Sequence, residues 1–207
     1  YIGKSSAGYK LTLLIYPFIF LTAFKDMRKD VRWSTFILLS IPFLGFLALL
    51  NKYGYTFWGD VLKFETRAKI VVNLNPIFAS IPFNNASFAR IYQSNNLTWF
   101  LRLVYNNGFV LPPLICVYRS AICKDFKKML KYICSAHVFQ IFLISPFYAI
   151  FHLQEVWFVS GHPDRLLRHF TYKQAYGWTL NCFPSMHTSI AFAAFLLILR
   201  ERNKIFK

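Results

Sequence analysis

The 207-residue sequence is 56% hydrophobic and 20% aromatic, only 15% of its residues are charged, and its mean hydropathy is +0.38. That composition excludes an ordinary soluble domain and marks an integral membrane protein. The formal net charge of +16 comes from 24 Lys and Arg against 8 Asp and Glu, and an apolar chain so charged meets anionic lipid headgroups rather than nucleic acid.

A helix that crosses a bilayer needs about 20 predominantly apolar residues. The chain opens at Tyr1 without a methionine, and we expect a fragment of a longer protein. The first apolar stretch runs from Leu11 to Phe24 and leads into the charged segment Lys25 to Arg32, without the small-residue cleavage site of a signal peptide. The second runs from Trp33 to Phe57, with Pro42 and Gly45 inside, which a membrane helix tolerates. Residues 63–96 are mixed in character and broken by Pro76 and Pro82, so they read as interfacial helix and loop. Asn85-Ala86-Ser87 and Asn96-Leu97-Thr98 match the glycosylation acceptor pattern. The third stretch is Leu97 to Tyr118, interrupted by Tyr105-Asn106-Asn107-Gly108-Phe109 and by Pro112-Pro113. Polar residues at that depth line a wet cavity or bond to a neighbouring helix. The fourth is Tyr132 to Leu153, and the fifth opens at Pro184. The predicted fold is therefore all-α, a polytopic bundle of about five transmembrane helices. Residues 1–96 form its N-terminal membrane helices and interfacial segment, and 97–207 form a second region.

Three basic clusters alternate with these stretches. They are Lys25, Arg28, Lys29 and Arg32; Arg119, Lys124, Lys127, Lys128 and Lys131; and Arg200, Arg202, Lys204 and Lys207. The bias of Lys and Arg to the cytoplasmic side puts all three there, so the loop 154–183 and the start of the fifth helix face outward or toward a lumen. Cys116, Cys123, Cys134 and Cys182 show neither a disulfide framework nor metal-ligand spacing. His137 and His152 fall on one predicted helix, about 60° and four turns apart, so they cannot share a metal. No cofactor is expected.

The stretch Asn181-Cys182-Phe183-Pro184-Ser185-Met186-His187-Thr188-Ser189 reads as a loop turning into the fifth helix, with Pro184 in its first turn. The first backbone N–H groups of a helix have no intrahelical partner and its dipole is positive there, so Ser185, Met186 and His187 surround an anion site that suits phosphate. Arg165, Arg168 and Lys173 stand on the preceding loop, where Arg suits bidentate phosphate recognition and interface anchoring competes with it. Arg165 and Arg168 share a face if that loop is helical, and Glu155 and Asp164 stand ready either to pair with them or to orient a polar substrate. An ionisable residue inside a membrane helix is costly, which singles out His187 as a functional residue.

Pro184-Ser185-Met186-His187 resembles the P-S-x-H motif of the type 2 phosphatidic acid phosphatase superfamily, and the longer form Phe183 to Thr188 is similar to its inositol-phosphotransferase and inositol-phosphorylceramide-synthase-like branch. The resemblance implies that residues 97–207 are the first part of a catalytic core. Ser185 and the following amides, Met186 included, would hold phosphate, and His187 would protonate the leaving oxygen. The family's first motif, Lys-x6-Arg-Pro, is not matched by the basic residues between Ser160 and Lys173. Its third motif carries the nucleophilic His and is expected beyond Lys207. The implied reaction is metal-independent transfer of a phosphorylated headgroup between lipids through a phosphohistidine, with a phospholipid or other lipid phosphate as partner. Hydrolysis of a lipid or isoprenyl phosphate at the same site is the alternative, and a noncatalytic protein that binds lipid or carries a solute is a third reading.

Overall fold

The computed structural model describes residues 6–67, 72–85, 87, 94–204 and 206. The chain is mostly helical: α1 Ser6–Phe24, α2 Trp33–Arg67, α3 Asn75–Ser80, α4 Asn95–Asn107, α5 Leu111–Ile122, α6 Phe126–Ile133, α7 Phe139–Tyr148, α8 Val156–Val159, α9 Tyr172–Trp178 and α10 Met186–Ile198. A π-helical turn, Cys134–Val138, joins α6 to α7, and two short strands, β1 Val72–Asn73 and β2 Phe151–His152, pair in parallel.

Two helical stretches, Trp33–Gly54 and Phe126–Tyr148, are 22 and 23 residues long and apolar enough to cross a membrane. At about 1.5 Å per residue each exceeds the ~30 Å hydrocarbon core. A third crossing is reached if α4 and α5, bent by 49° at their junction, count as one span. Two shorter apolar stretches are Leu14–Phe24, within α1, and Met186–Ile198. The chain is therefore a helical membrane protein, with two or three helices of spanning length among the described residues.

Element ends differ from the periodicity-based expectation for local reasons. The fourth stretch starts at Phe126 rather than Tyr132, because the Asp125 side chain accepts the Lys128 backbone N–H at 3.0 Å and caps a new helix. It ends at Tyr148, where Ala149 and Ile150 turn back onto Pro146 and Phe147. His137 and His152 therefore do not share a helix: one lies in the π-helical turn, the other in β2. The reading of Arg165 and Arg168 on one helical face also fails, since that segment is a turn with Leu167 at φ 58°. The interfacial stretch 63–96 falls partly outside the described residues; within it α2 continues to Arg67, and β1 and α3 follow.

The chain divides into two compact units, one of residues 1–52, 103–140 and 187–207, the other of 53–102 and 141–186. Each draws on both sides of residue 96. In the first, Phe36, Met129 and Ile133 form one buried cluster, and Cys116, Tyr132 and Phe206 form another. Between them lies a charge network built on Arg119, only 2% exposed. Its guanidinium donates to the Thr22 carbonyl at 3.0 Å, to the Asp26 carboxylate, and faces Glu201 at 4.0 Å, while the Phe206 ring lies 4.4 Å beneath it. Glu201 also accepts from Lys128 Nζ and Tyr132 Oη, both at 2.6 Å. Burial pushes the Glu201 carboxyl up, and the bonds from Lys128 and Tyr132 outweigh it, leaving it below its ordinary value.

In the second unit the β1–β2 ladder is extended by side chains. The Asn75 amide donates to Gln154 Oε1 at 3.1 Å and its carbonyl accepts the Gln154 N–H at 2.9 Å. Tyr148, Thr179 and Leu180 are fully buried around it. His152 is buried with Nδ1 unpartnered, and desolvation lowers its pKa against the opposing bond with Gln154.

Removing Glu201 leaves a buried Arg119 and the Tyr132 hydroxyl short of a partner. Glu201→Ala is expected to cost about 3 kcal/mol, read as a lower thermal midpoint in detergent. Because the folded Glu201 pKa is depressed, its contribution is complete above the ordinary carboxylate range and is lost as pH falls through the lower folded value. The wild-type midpoint should therefore fall steeply below about pH 4.5, and that drop should shrink in Glu201→Ala.

Candidate functional site

The segment before α10 is anchored within the second unit. The Phe183–Pro184 peptide is cis, the Pro184 carbonyl accepts the Tyr148 hydroxyl at 2.7 Å, and the Phe183 ring packs against Phe78 and Phe151. The helix starts at Met186, two residues later than the sequence placed it, so Ser185 takes the position immediately before the first turn and His187 is its second residue. Ser185 and Thr188 are exposed, and Met186 and His187 half-buried. The amides that open a 13-residue helix therefore begin directly after an exposed hydroxyl side chain.

His187 belongs to the first unit, and its ring is held there by the interruption in the third apolar stretch. Phe109 stacks on it with centroids 3.9 Å apart and planes within 15°, and Tyr105 meets it edge-on at 5.2 Å. The interruption has clear local causes. Pro112 and Pro113 lack N–H groups, so they suit the first turn of α5 and cannot extend α4. Gly108 donates its N–H to the Val104 carbonyl at 2.6 Å, and a Cβ at 108 would stand 2.6 Å from that same oxygen. The polar run is thus what presents Tyr105 and Phe109 to His187. One turn-neighbour further, Ser189 Oγ donates to the Gln140 side-chain carbonyl, while Gln140 Nε2 donates to the Ser135 carbonyl at 3.0 Å in the π-helical turn. Gln140 escaped the sequence reading, although a lone amide in the apolar run 138–144 was the available signal.

The three basic loop residues have different fates, all within the second unit. Arg168 is taken up by two carboxylates, Nη1 and Nη2 reaching Glu155 at 3.0 and 2.5 Å and Nε reaching Asp164 at 2.6 Å. It also lies over the Trp157 and Phe170 rings at 5.7 and 5.5 Å. Burial disfavours its charge, but the two carboxylates prevail and raise its pKa. Burial likewise raises Asp164, and the bonds from Arg168 and the Leu166 N–H bring it below the ordinary value. Arg165 is exposed, its carbonyl accepting from Arg102 Nε at 2.5 Å. Lys173 is exposed on α9, whose start is closed by a capping box between Thr171 and Gln174. Trp157, Phe158, Asp164, Arg168, Phe170 and Tyr172 line an open cavity of about 320 Å³. Burial pushes the Cys182 thiol up to about 12, away from the thiolate form. No group of three His, Cys, Asp or Glu among the described residues could hold a metal ion.

No known protein family, curated protein or solved structure matches the chain.

A methyl group at 108 must displace the Val104 backbone, and with it the stacked Phe109. Gly108→Ala is expected to raise the rate of His187 modification by diethyl pyrocarbonate severalfold, measured by peptide mass spectrometry, with total protein yield retained. Arg168→Gln leaves Glu155 and the nearly buried Asp164 without their cation, at a cost of about 3 kcal/mol. Limited proteolysis should then cut within residues 160–171 where the wild-type chain resists.

Proposed function

We propose that this chain is part of an integral-membrane lipid phosphotransferase that moves a phosphorylated headgroup between lipids through a phosphohistidine. The observation that carries the reading is the start of α10, where an exposed Ser185 is followed by helix-opening amides and by His187, whose ring plane is fixed by Phe109 and Tyr105. On this reading Ser185 and the Met186 amide bind the nonbridging phosphate oxygens. Arg165 and Lys173 supply further positive charge, and Arg168 holds the loop that carries them. A second His, which the motif resemblance puts beyond residue 207, attacks phosphorus. As its N–P bond forms, the P–O bond to the leaving lipid breaks, and His187 delivers its proton to that oxygen. An acceptor alcohol then attacks the same phosphorus, its proton passing to His187, and as the new P–O bond forms the N–P bond to the second His breaks, leaving the phosphorylated headgroup on the acceptor. Helices α1, α2, the α4–α5 pair, α6–α7 and α10 make five crossings in this proposal, with the site on the extracytoplasmic or luminal face.

Hydrolysis is the second reading, favoured by the exposure of Ser185 and Thr188, which leaves water free to act as acceptor. A noncatalytic lipid-binding role draws on the capture of Arg168 by two carboxylates, which leaves it a structural part of the loop.

The test uses the full-length protein in vesicles with lipids labelled in the phosphorylated headgroup, with and without an acceptor lipid alcohol. Transfer places the label on the acceptor; hydrolysis releases it as a water-soluble phosphate. In either case His187→Ala should lower the rate by about a hundredfold or more. Turnover that is absent in the wild type, or unchanged in His187→Ala, would exclude both catalytic readings and leave the noncatalytic one.

A further inference from the structure

Three basic segments that are far apart in sequence are tied into one end of the first unit. The Arg28 N–H donates to the Cys123 carbonyl at 3.1 Å, and Lys124 Nζ donates to the Val31 carbonyl at 2.5 Å, joining segment 25–32 to segment 119–131. The Asn203 amide donates to Asp26 Oδ2 at 3.0 Å and Lys128 pairs with Glu201 at 2.6 Å, joining the tail to both. Each segment lies at the end of an apolar helix, with Lys127, Lys128 and Lys131 in the opening turns of the Phe126–Tyr148 stretch.

The acidic residues of this end are consumed internally. Asp26 and Glu201 serve Arg119 and Lys128, Asp30 pairs with Arg28 at 2.5 Å, and Asp125 caps α6. Lys29, Arg32, Lys127, Lys131, Arg202 and Lys204 remain exposed and form no ion pair among the described residues. Cations from three segments are therefore carried on chain segments joined to one another, and anions from outside relieve the repulsion among them. A loose collection of juxtamembrane cations attracts an anionic leaflet diffusely. Here the segments that carry the cations are joined to one another before any lipid arrives, which reduces the ordering cost of binding.

We infer that this basic end of the first unit is a preassembled binding surface for anionic phospholipid headgroups, each bridged by cations from different segments. The inference does not depend on the enzymatic reading. The Lys and Arg donors suit phosphate oxygens.

Native mass spectrometry of the full chain, extracted from vesicles holding equal amounts of phosphatidylglycerol and phosphatidylcholine, tests it. The wild-type protein should retain phosphatidylglycerol over phosphatidylcholine. That preference should disappear when salt rises from about 0.1 M to about 1 M and the screening length falls from about 10 Å to about 3 Å. Lys29→Gln, Arg32→Gln, Lys127→Gln and Lys131→Gln combined should reduce the preference at least about tenfold, each cation near an anionic surface being worth about fivefold. The matching Lys→Arg variant should keep it. Equal retention of both lipids by the wild type overturns the proposal. So does undiminished retention in the combined Gln variant, or complete displacement by inorganic phosphate at the same phosphate concentration. If the Gln variant fails to insert, the wild-type preference and its salt response decide the matter by themselves.

Discussion

Arg119 is the residue on which the first unit depends. A guanidinium removed from water costs several kcal/mol unless its donors and charge are met, and here they are met by α1, through Thr22 and Asp26, and by the C-terminal tail, through Glu201 and Phe206. The residue sits near the end of α5, where a cation is also favoured by the helix dipole. One side chain thereby fixes the ends of α1 and α5 and the segment after α10. Packing alone would specify this poorly, because apolar helices in lipid gain little from burying one apolar face against another. A polar contact that must be satisfied selects one register.

The same rule shapes the loop of the second unit, with a different consequence. Arg168 satisfies Glu155 and Asp164 and covers Trp157 and Phe170. Counted together, one cation and two carboxylates carry a net charge of −1, so the cluster as a whole does not attract a phosphate. Any anion affinity of the loop rests on Arg165 and Lys173, which are exposed, and on backbone donors. Arg168 then acts as the core of the loop rather than as its reaching hand. A lysine could not replace it, since a single ammonium lacks the planar fork that meets two carboxylates at once.

Much of the helical framework was legible in the sequence because apolar runs are local signals. Trp33 onward, the break at Tyr105 to Phe109 and the start of an apolar helix after Pro184 were each written in consecutive residues. What was not legible depends on partners distant in sequence. The exit from α7 at Ala149 and Ile150 is fixed by pairing of residues 151–152 with Val72 and Asn73, so His152 left the helix on which periodicity had placed it. The early start at Phe126 was within reach, since Asp125 is an ordinary cap, but the charges around it obscured it. The pairing of Arg168 with Glu155 and Asp164 was one of two options the residue types allowed, and only geometry separates them. The contact of Gln140 with Ser189 spans 49 residues and has no local trace. Apolar membrane helices also lack the alternation of polar and apolar faces that in a soluble protein would have oriented each one.

The fixing of His187 by aromatic rings has a consequence for how such a residue can work. In many hydrolases a carboxylate orients the catalytic imidazole through one ring nitrogen, which settles the tautomer and stabilises the protonated form. Stacking on Phe109 and edge contact with Tyr105 fix the ring plane through its carbon and π surfaces. A ring held this way has its direction set by its neighbours. The determinant of that geometry is then Gly108, since only a residue without a Cβ lets the chain fold back on Val104 and bring Phe109 to the ring. The polar interruption in the third apolar stretch, which by composition alone resembles a flaw in a membrane helix, is in physical terms the scaffold that orients the histidine.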